Sequence, residues 1–189
     1  IVPGVPAGPG PADAGIVIVN LDNPMKPVIA AVVPVKGAYA SALQFRYLVV
    51  TETSGVRVID VTIPERAKLV PEARLPLLEA YGISIARTYA YVAAGREGVA
   101  IIDIENPERP RLHLQFDANG QVNDARDVIV GATNASLFAY VADGRNGLKV
   151  LPLLAPDTPP AFYGFRPAAN PPLLPSRKPP TPPLPLPRE

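Results

Sequence analysis

The chain is short of the residues with which proteins usually do chemistry. Its 189 residues include no cysteine, no tryptophan and a single histidine, His113. Without cysteine there is no disulfide framework, cysteine zinc site, thiol nucleophile, iron–sulfur cluster or covalent haem attachment. One histidine excludes, within this chain, any reaction or metal site that needs two imidazoles. No sign of charge is in excess: 18 basic residues face 17 acidic ones, so no net field draws nucleic acid or an anionic membrane. Long apolar runs are missing as well. The longest, Val28 to Val35, contains Pro34 and falls far below the roughly 20 residues of a membrane-spanning helix. The opening Ile1-Val2-Pro3-Gly4 is neither an initiator methionine nor a signal peptide, which predicts a processed chain or a fragment. Phosphate-loop, dinucleotide, zinc-protease and nucleophile-elbow motifs do not occur. No catalytic constellation and no resident cofactor are expected.

What the chain does have is repetition. Gly15-Ile-Val-Ile-Val-Asn20, Gly55-Val-Arg-Val-Ile-Asp60, Gly98-Val-Ala-Ile-Ile-Asp103 and Gly147-Leu-Lys-Val-Leu-Pro152 are copies of one pattern, their glycines 40, 43 and 49 residues apart. A proline follows each glycine by nine residues, at Pro24, Pro64, Pro107 and Pro156. Upstream, Tyr47-Leu-Val-Val50, Tyr91-Val-Ala-Ala94 and Tyr140-Val-Ala-Asp143 precede the glycines by eight, seven and seven residues, so these tyrosines read as repeated packing residues. A further strand is expected before each tyrosine segment, at 41–45, 82–86 and 127–130. Another is expected after the proline turns, at 28–35, 68–75 and 111–116. No helix-period segment with caps is found; Leu75 to Ala80 is short and carries Pro76.

Four strands in each 40 to 49 residues is the spacing of a β-propeller blade, whose sheets stack radially about an axis. Small residues such as Ser41, Ala42, Ser84, Ala86 and Ala125 suit the crowding near that axis. The segments Ala139-Tyr-Val-Ala-Asp-Gly-Arg-Asn-Gly-Leu148 and Gly98-Val-Ala-Ile-Ile-Asp-Ile-Glu-Asn-Pro-Glu-Arg-Pro110 resemble the LVIVD-repeat family of β-propellers over about residues 14 to 156. Ala67 and Pro152 depart from its pattern. The resemblance implies an all-β fold. It also implies an exported or cell-surface setting and, since some members occur beside or fused to multihaem cytochromes, a possible redox partner. The expected fold is a partial propeller of about three four-stranded blades at 14–156, between a Pro/Gly-rich arm at 1–13 and a proline-rich extended tail at 157–189. Such an arc leaves sheet edges and core open, so further blades or other chains should complete it.

Candidate sites are few. Asp60 and Asp103 end repeated strands, where carboxylates could ring a channel. An aspartate there more simply bonds turn amides, as Asn20 would at the matching place. Asp117, Asn119, Gln121 and Asn123 alternate like calcium ligands, yet Gly120 stands fourth and Val128 twelfth, where that loop needs glycine sixth and glutamate twelfth. The same connection, with Asp124, Arg126 and Asp127, is expected to be a contact loop on one propeller face, together with Arg96 and Arg145 on the turns. His113 alternates with Leu112 and Leu114 and should face away from them. Asn134-Ala-Ser136 is a formal glycosylation sequon. Arg177, Pro180 and Pro183 match an Arg-x-x-Pro-x-x-Pro SH3 ligand, but proline-rich tails produce that pattern easily and a linker or docking tail is the better account of them. The functional expectation is a non-catalytic binding or scaffolding segment of a larger extracytoplasmic assembly. The alternative is part of a propeller enzyme, lactonase-like or quinoprotein-like, with its active-site residues on other blades.

Overall fold

The computed structural model describes residues 2–4, 15–132 and 137–154. They form four antiparallel sheets, each a meander in chain order. Sheet 1 contains β1 (Val2–Gly4), β2 (Gly15–Asn20) and β3 (Val28–Pro34). Sheet 2 contains β4 (Ala40–Gln44), β5 (Tyr47–Glu52), β6 (Gly55–Asp60) and β7 (Lys68–Pro76). Sheet 3 contains β8 (Ile83–Ala86), β9 (Tyr89–Ala93), β10 (Val99–Asp103) and β11 (Arg111–Phe116). Sheet 4 contains β12 (Asp127–Ala132), β13 (Leu137–Ala142) and β14 (Leu148–Leu154). The expected strands are all present. One more, β1, pairs with β2 inside the segment expected to be an arm. Among the described residues the only helical turns are short 3-10 turns at Pro64–Arg66 and Gly144–Asn146.

The sheets stack side by side as propeller blades do. Their inner strands meet in succession, β8 lying against both β4 and β12. Small groups permit this approach. The Val130 N–H donates to Ser84 Oγ at 3.1 Å, and a Cβ on Gly82 would overlap the Asp127 carboxylate.

The hydrophobic core is three interfaces between sheets. Because strand side chains alternate between faces, β5 serves two of them. Leu48 and Val50 meet Ile16, Ile18 and Val33 of sheet 1, while Tyr47 and Val49 meet Ala90, Val92 and Ile102 of sheet 3. Tyr91 and Ile101 in turn meet Ala139, Val141 and Leu151 of sheet 4. Strands buried on both faces therefore read as continuous apolar runs, each buried Val, Leu or Ile contributing roughly 1.5–3 kcal/mol. Among the described residues, no further sheet packs on the outward faces of the stack. Val19, Ile29 and Val32 are exposed on sheet 1, and Ile129, Tyr140 and Leu148 on sheet 4.

Pairing corrects the tyrosine alignment. Tyr47 lies opposite Asp60 and Tyr89, not Tyr91, lies opposite Asp103. The hairpin turn before Gly98 is one residue longer than that before Gly55, so the equivalent tyrosine stands nine residues before its glycine rather than eight. Tyr91 matches Tyr140 in position, yet Tyr91 is 1% exposed and Tyr140 41%. The difference follows from sheet 4 packing on one and nothing described packing on the other.

A bulge recurs in the outer pairing of the first three sheets, just past the middle of the glycine-led strand. In sheet 3 it overturns the expected alternation around His113. Leu114 pairs with Ile101 and Leu112 with Ile102, leaving His113 unpaired between them. Leu112 and Leu114 thus take opposite faces, and the exposed His113 ring lies 5.2 Å from that of Tyr89.

Candidate interaction face

Each meander places two kinds of loop at its two ends. At one end the 3-10 and proline turns follow Asn20, Asp60 and Asp103. Each of these side chains accepts the N–H two residues on: Asp22 at 2.7 Å, Thr62 at 2.9 Å and Glu105 at 2.9 Å. This is the turn-bonding role expected of them. Thr62 Oγ1 also donates to Asp60, and the two bonds from Thr62 hold the Asp60 carboxyl below the ordinary range. A link between sheets lies at the same end, where Tyr47 donates to Glu108 at 2.6 Å; that bond raises the Tyr47 pKa.

The other end carries the glycine turns and the connections between sheets. Just before each inner strand, one residue donates its backbone N–H to the neighbouring strand: Tyr39 to Thr51, Tyr81 to Ala93 and Arg126 to Ala142, at 2.9, 2.9 and 2.8 Å. These three positions are equivalent, so the radial stacking of sheets brings their side chains together. The Tyr39 and Tyr81 rings meet edge to face at 5.4 Å. The Arg126 guanidinium lies 4.6 Å above the Tyr81 ring, a cation–π arrangement.

Carboxylates flank the stack. Arg126 holds Asp124 Oδ1 through Nε at 2.6 Å, and this pairing raises the arginine pKa further. Glu79 accepts the Tyr81 hydroxyl at 3.1 Å and the Arg96 N–H at 2.9 Å. The Arg96 amide, then the tyrosine and nearby arginines, hold the Glu79 carboxyl below its usual value. Tyr39, Leu78, Glu79 and Tyr81 line a cleft of about 280 Å³. Tyr39 is 57% exposed and Leu78 78%. The arrangement offers aromatic surface, a guanidinium and two carboxylates, which is equipment for recognition.

The contact-loop candidates lie at this end. Asp124 and Arg126 form the ion pair, and Asp127 Oδ1 accepts the Val128 N–H. Arg96 and Arg145 are exposed on the glycine turns. Asp117 Oδ1 accepts the Asn119 N–H at 3.0 Å, and Asn123 Oδ1 accepts from Asn146 at 2.8 Å. Two of the four residues considered for calcium thus have a side-chain oxygen engaged by a protein donor. Asn119 and Gln121 are exposed in the same turn, which the Val122 N–H closes on the Asp117 carbonyl at 2.8 Å. Arg177, Pro180, Pro183 and the sequon lie outside the described residues.

Four residues of this end were not singled out from sequence: Tyr39, Tyr81, Glu79 and Asp143. Asp143 is fully buried and accepts the Asn123 and Asp124 N–H groups at 3.1 and 2.7 Å. It anchors the connection that carries Arg126. A legible signal existed for the stack: Ala38-Tyr39-Ala40, Ala80-Tyr81-Gly82 and Ala125-Arg126-Asp127 share an alanine before the stacked residue.

Residues 79–118 and 124–151 match the family model for the LVIVD repeat. This chain carries LVIVD repeats. The two matched segments are sheets 3 and 4 with their lead-in connections, including Glu79, Tyr81 and Arg126. Sheets 1 and 2 share with sheet 3 the strand-end Asx bond and the bulge in the outer pairing. The fold is accordingly a partial β-propeller. Comparison with curated proteins gives no match.

Proposed function

We propose that this β-propeller segment is a non-catalytic binding and scaffolding module of a larger assembly, and that the Tyr39–Tyr81–Arg126 end is its contact face. One observation carries this reading: three successive sheets present an interacting Tyr-Tyr-Arg stack from the same position. Tyrosine and arginine are the residue types enriched at energetic centres of protein interfaces, where rigid aromatic area and a planar cation combine. The exposed apolar faces of sheets 1 and 4 support the assembly part, because equivalent positions within the stack are buried against a neighbouring sheet. A cell-surface or extracytoplasmic setting and a multihaem cytochrome partner, both implied by the family resemblance, belong to the same proposal.

The test uses native mass spectrometry of complexes recovered from the source with the wild-type protein, Tyr81→Ala and Arg126→Glu. The expected result is a partner of defined stoichiometry bound by the wild type and lost from both variants, with far-UV circular dichroism unchanged. The same complexes with either variant, or turnover of lactone or alcohol substrates by the recovered material, would overturn the reading.

A further inference from the structure

A second concavity lies at the same end but further out, between sheets 1 and 2. It measures about 390 Å³, and its lining includes Val35, Lys36, Glu52, Ser54, Arg57 and Arg74. Its charge balance is unusual for this molecule. Arg57 on β6 and Arg74 on β7 lie directly opposite each other in register, an arrangement of like charges that destabilises a sheet pair. Lys36 adds a third cation. The one carboxylate in the lining is Glu52, whose Oε1 accepts the Ser54 hydroxyl at 2.9 Å and stands 3.9 Å from Arg74 Nε.

The fold does not demand these cations. Counting from the repeat glycines, Arg57 corresponds to Ala100 of sheet 3. Ala100 is fully buried in an interface and pairs with Gln115 where Arg57 pairs with Arg74. Sheet 3 thus builds the same strand pair with an alanine and an amide. Arg57 Nε, moreover, is shielded from solvent and has no hydrogen-bond partner among the described residues. A charged donor left in that state is unfavourable, and proteins satisfy nearly all such groups. An oxyanion between the two guanidinium groups would accept the orphaned hydrogen, relieve the repulsion and suit the fork geometry of arginine.

We propose that this cleft is a binding site for a small oxyanion, a phosphate or carboxylate compound. Arg57 and Arg74 are its principal ligands and Lys36 a peripheral one. The volume lies in the range of small-molecule sites. Glu52 tempers the field so that a compact anion, rather than a polyanion, is matched.

The test is isothermal titration of the chain with inorganic phosphate and, separately, with succinate, at constant ionic strength set by chloride. Saturable binding of either ligand is expected, and the arm that saturates tells phosphate from carboxylate. Arg57→Ala should weaken it at least tenfold. Without ligand, the same variant should melt no lower than the wild type, since it removes a like-charge repulsion and a buried Nε without a partner. Lys36→Ala, at an exposed position, should weaken binding several-fold with an unchanged melting temperature, and Arg96→Ala should leave affinity unaltered. Heats no larger than those of chloride in both arms, or affinity unchanged in both Arg57→Ala and Lys36→Ala, would overturn the proposal.

Discussion

Gly98 and Gly120 share a positive φ but not a neighbourhood, which makes them an informative pair. Their φ angles are +76° and +79°, in the region an L side chain enters at roughly 1–2 kcal/mol. A Cβ on Gly120 meets nothing within 4 Å. A Cβ on Gly98 would overlap the carbonyl oxygen of Phe116 and sit 2.7 Å from Asp117 Cα, so backbone itself must move where Val99 pairs with Phe116. Gly120→Ala gains back about 0.4–1 kcal/mol from a stiffer unfolded chain, leaving a net loss near 1 kcal/mol. Gly98→Ala adds an overpacking penalty of about 1–3 kcal/mol, for a net loss of about 3 kcal/mol. At about 2–4 °C per kcal/mol for a chain of this size, the expected drops in Tm are about 3 °C and about 9 °C. Thermal unfolding followed by circular dichroism, with urea titration as a check, measures both. Equal losses would refute the claim that close approach of the outer strand, rather than φ alone, requires glycine at the repeat position.

Two further outcomes follow from the polar contacts. Glu79 has a folded-state pKa below its unfolded value, so its stabilising contribution is fully present above about pH 4.3 and is lost as the pH falls through the lower folded value. The stability gap between wild type and Glu79→Gln should therefore be present at pH 7 and close on acidification, as read from urea midpoints across pH. At the opposite end, Asp103→Ala should lose about 1 kcal/mol by removing the acceptor for the Glu105 N–H, while Asp103→Asn loses much less. That result would match the use of Asn20 at the same place, and equal losses in the same titration would contradict the turn-bonding role.

The fold was largely legible because propeller sheets are local. Each meander pairs strands adjacent in sequence, so glycine, apolar run and strand-end Asx recur with little variation, as in Gly55-Val-Arg-Val-Ile-Asp60. What escaped depended on contacts between sheets or on unequal loops. Tyr47 was aligned with Tyr91 because hairpin turns of different length preserve composition while shifting register. His113 was misplaced because a bulge breaks the alternation on which facing was argued. The strand Val2–Gly4 was hidden in a stretch whose prolines and glycines argue against pairing. The basic half of the stack, Arg126 beside Asp124, was visible on the longest connection. The aromatic half was not, since Tyr39 and Tyr81 lie 42 residues apart and become neighbours only through the stacking of sheets.

The outer bulge bears on how this molecule can change length. An insertion into β8 would reverse the facing of everything beyond it, sending core methyl groups towards solvent. An insertion beside His113 or Ala30 falls where one residue already stands unpaired. Sheet 2 displays a larger version: Leu69 and Arg74 pair with Ile59 and Arg57, so four residues on the outer strand answer one on β6. Slack is therefore kept at the circumference while the inner pairings stay in regular register. The periphery can lengthen, shorten and acquire new surface without disturbing the interfaces that hold the sheets together.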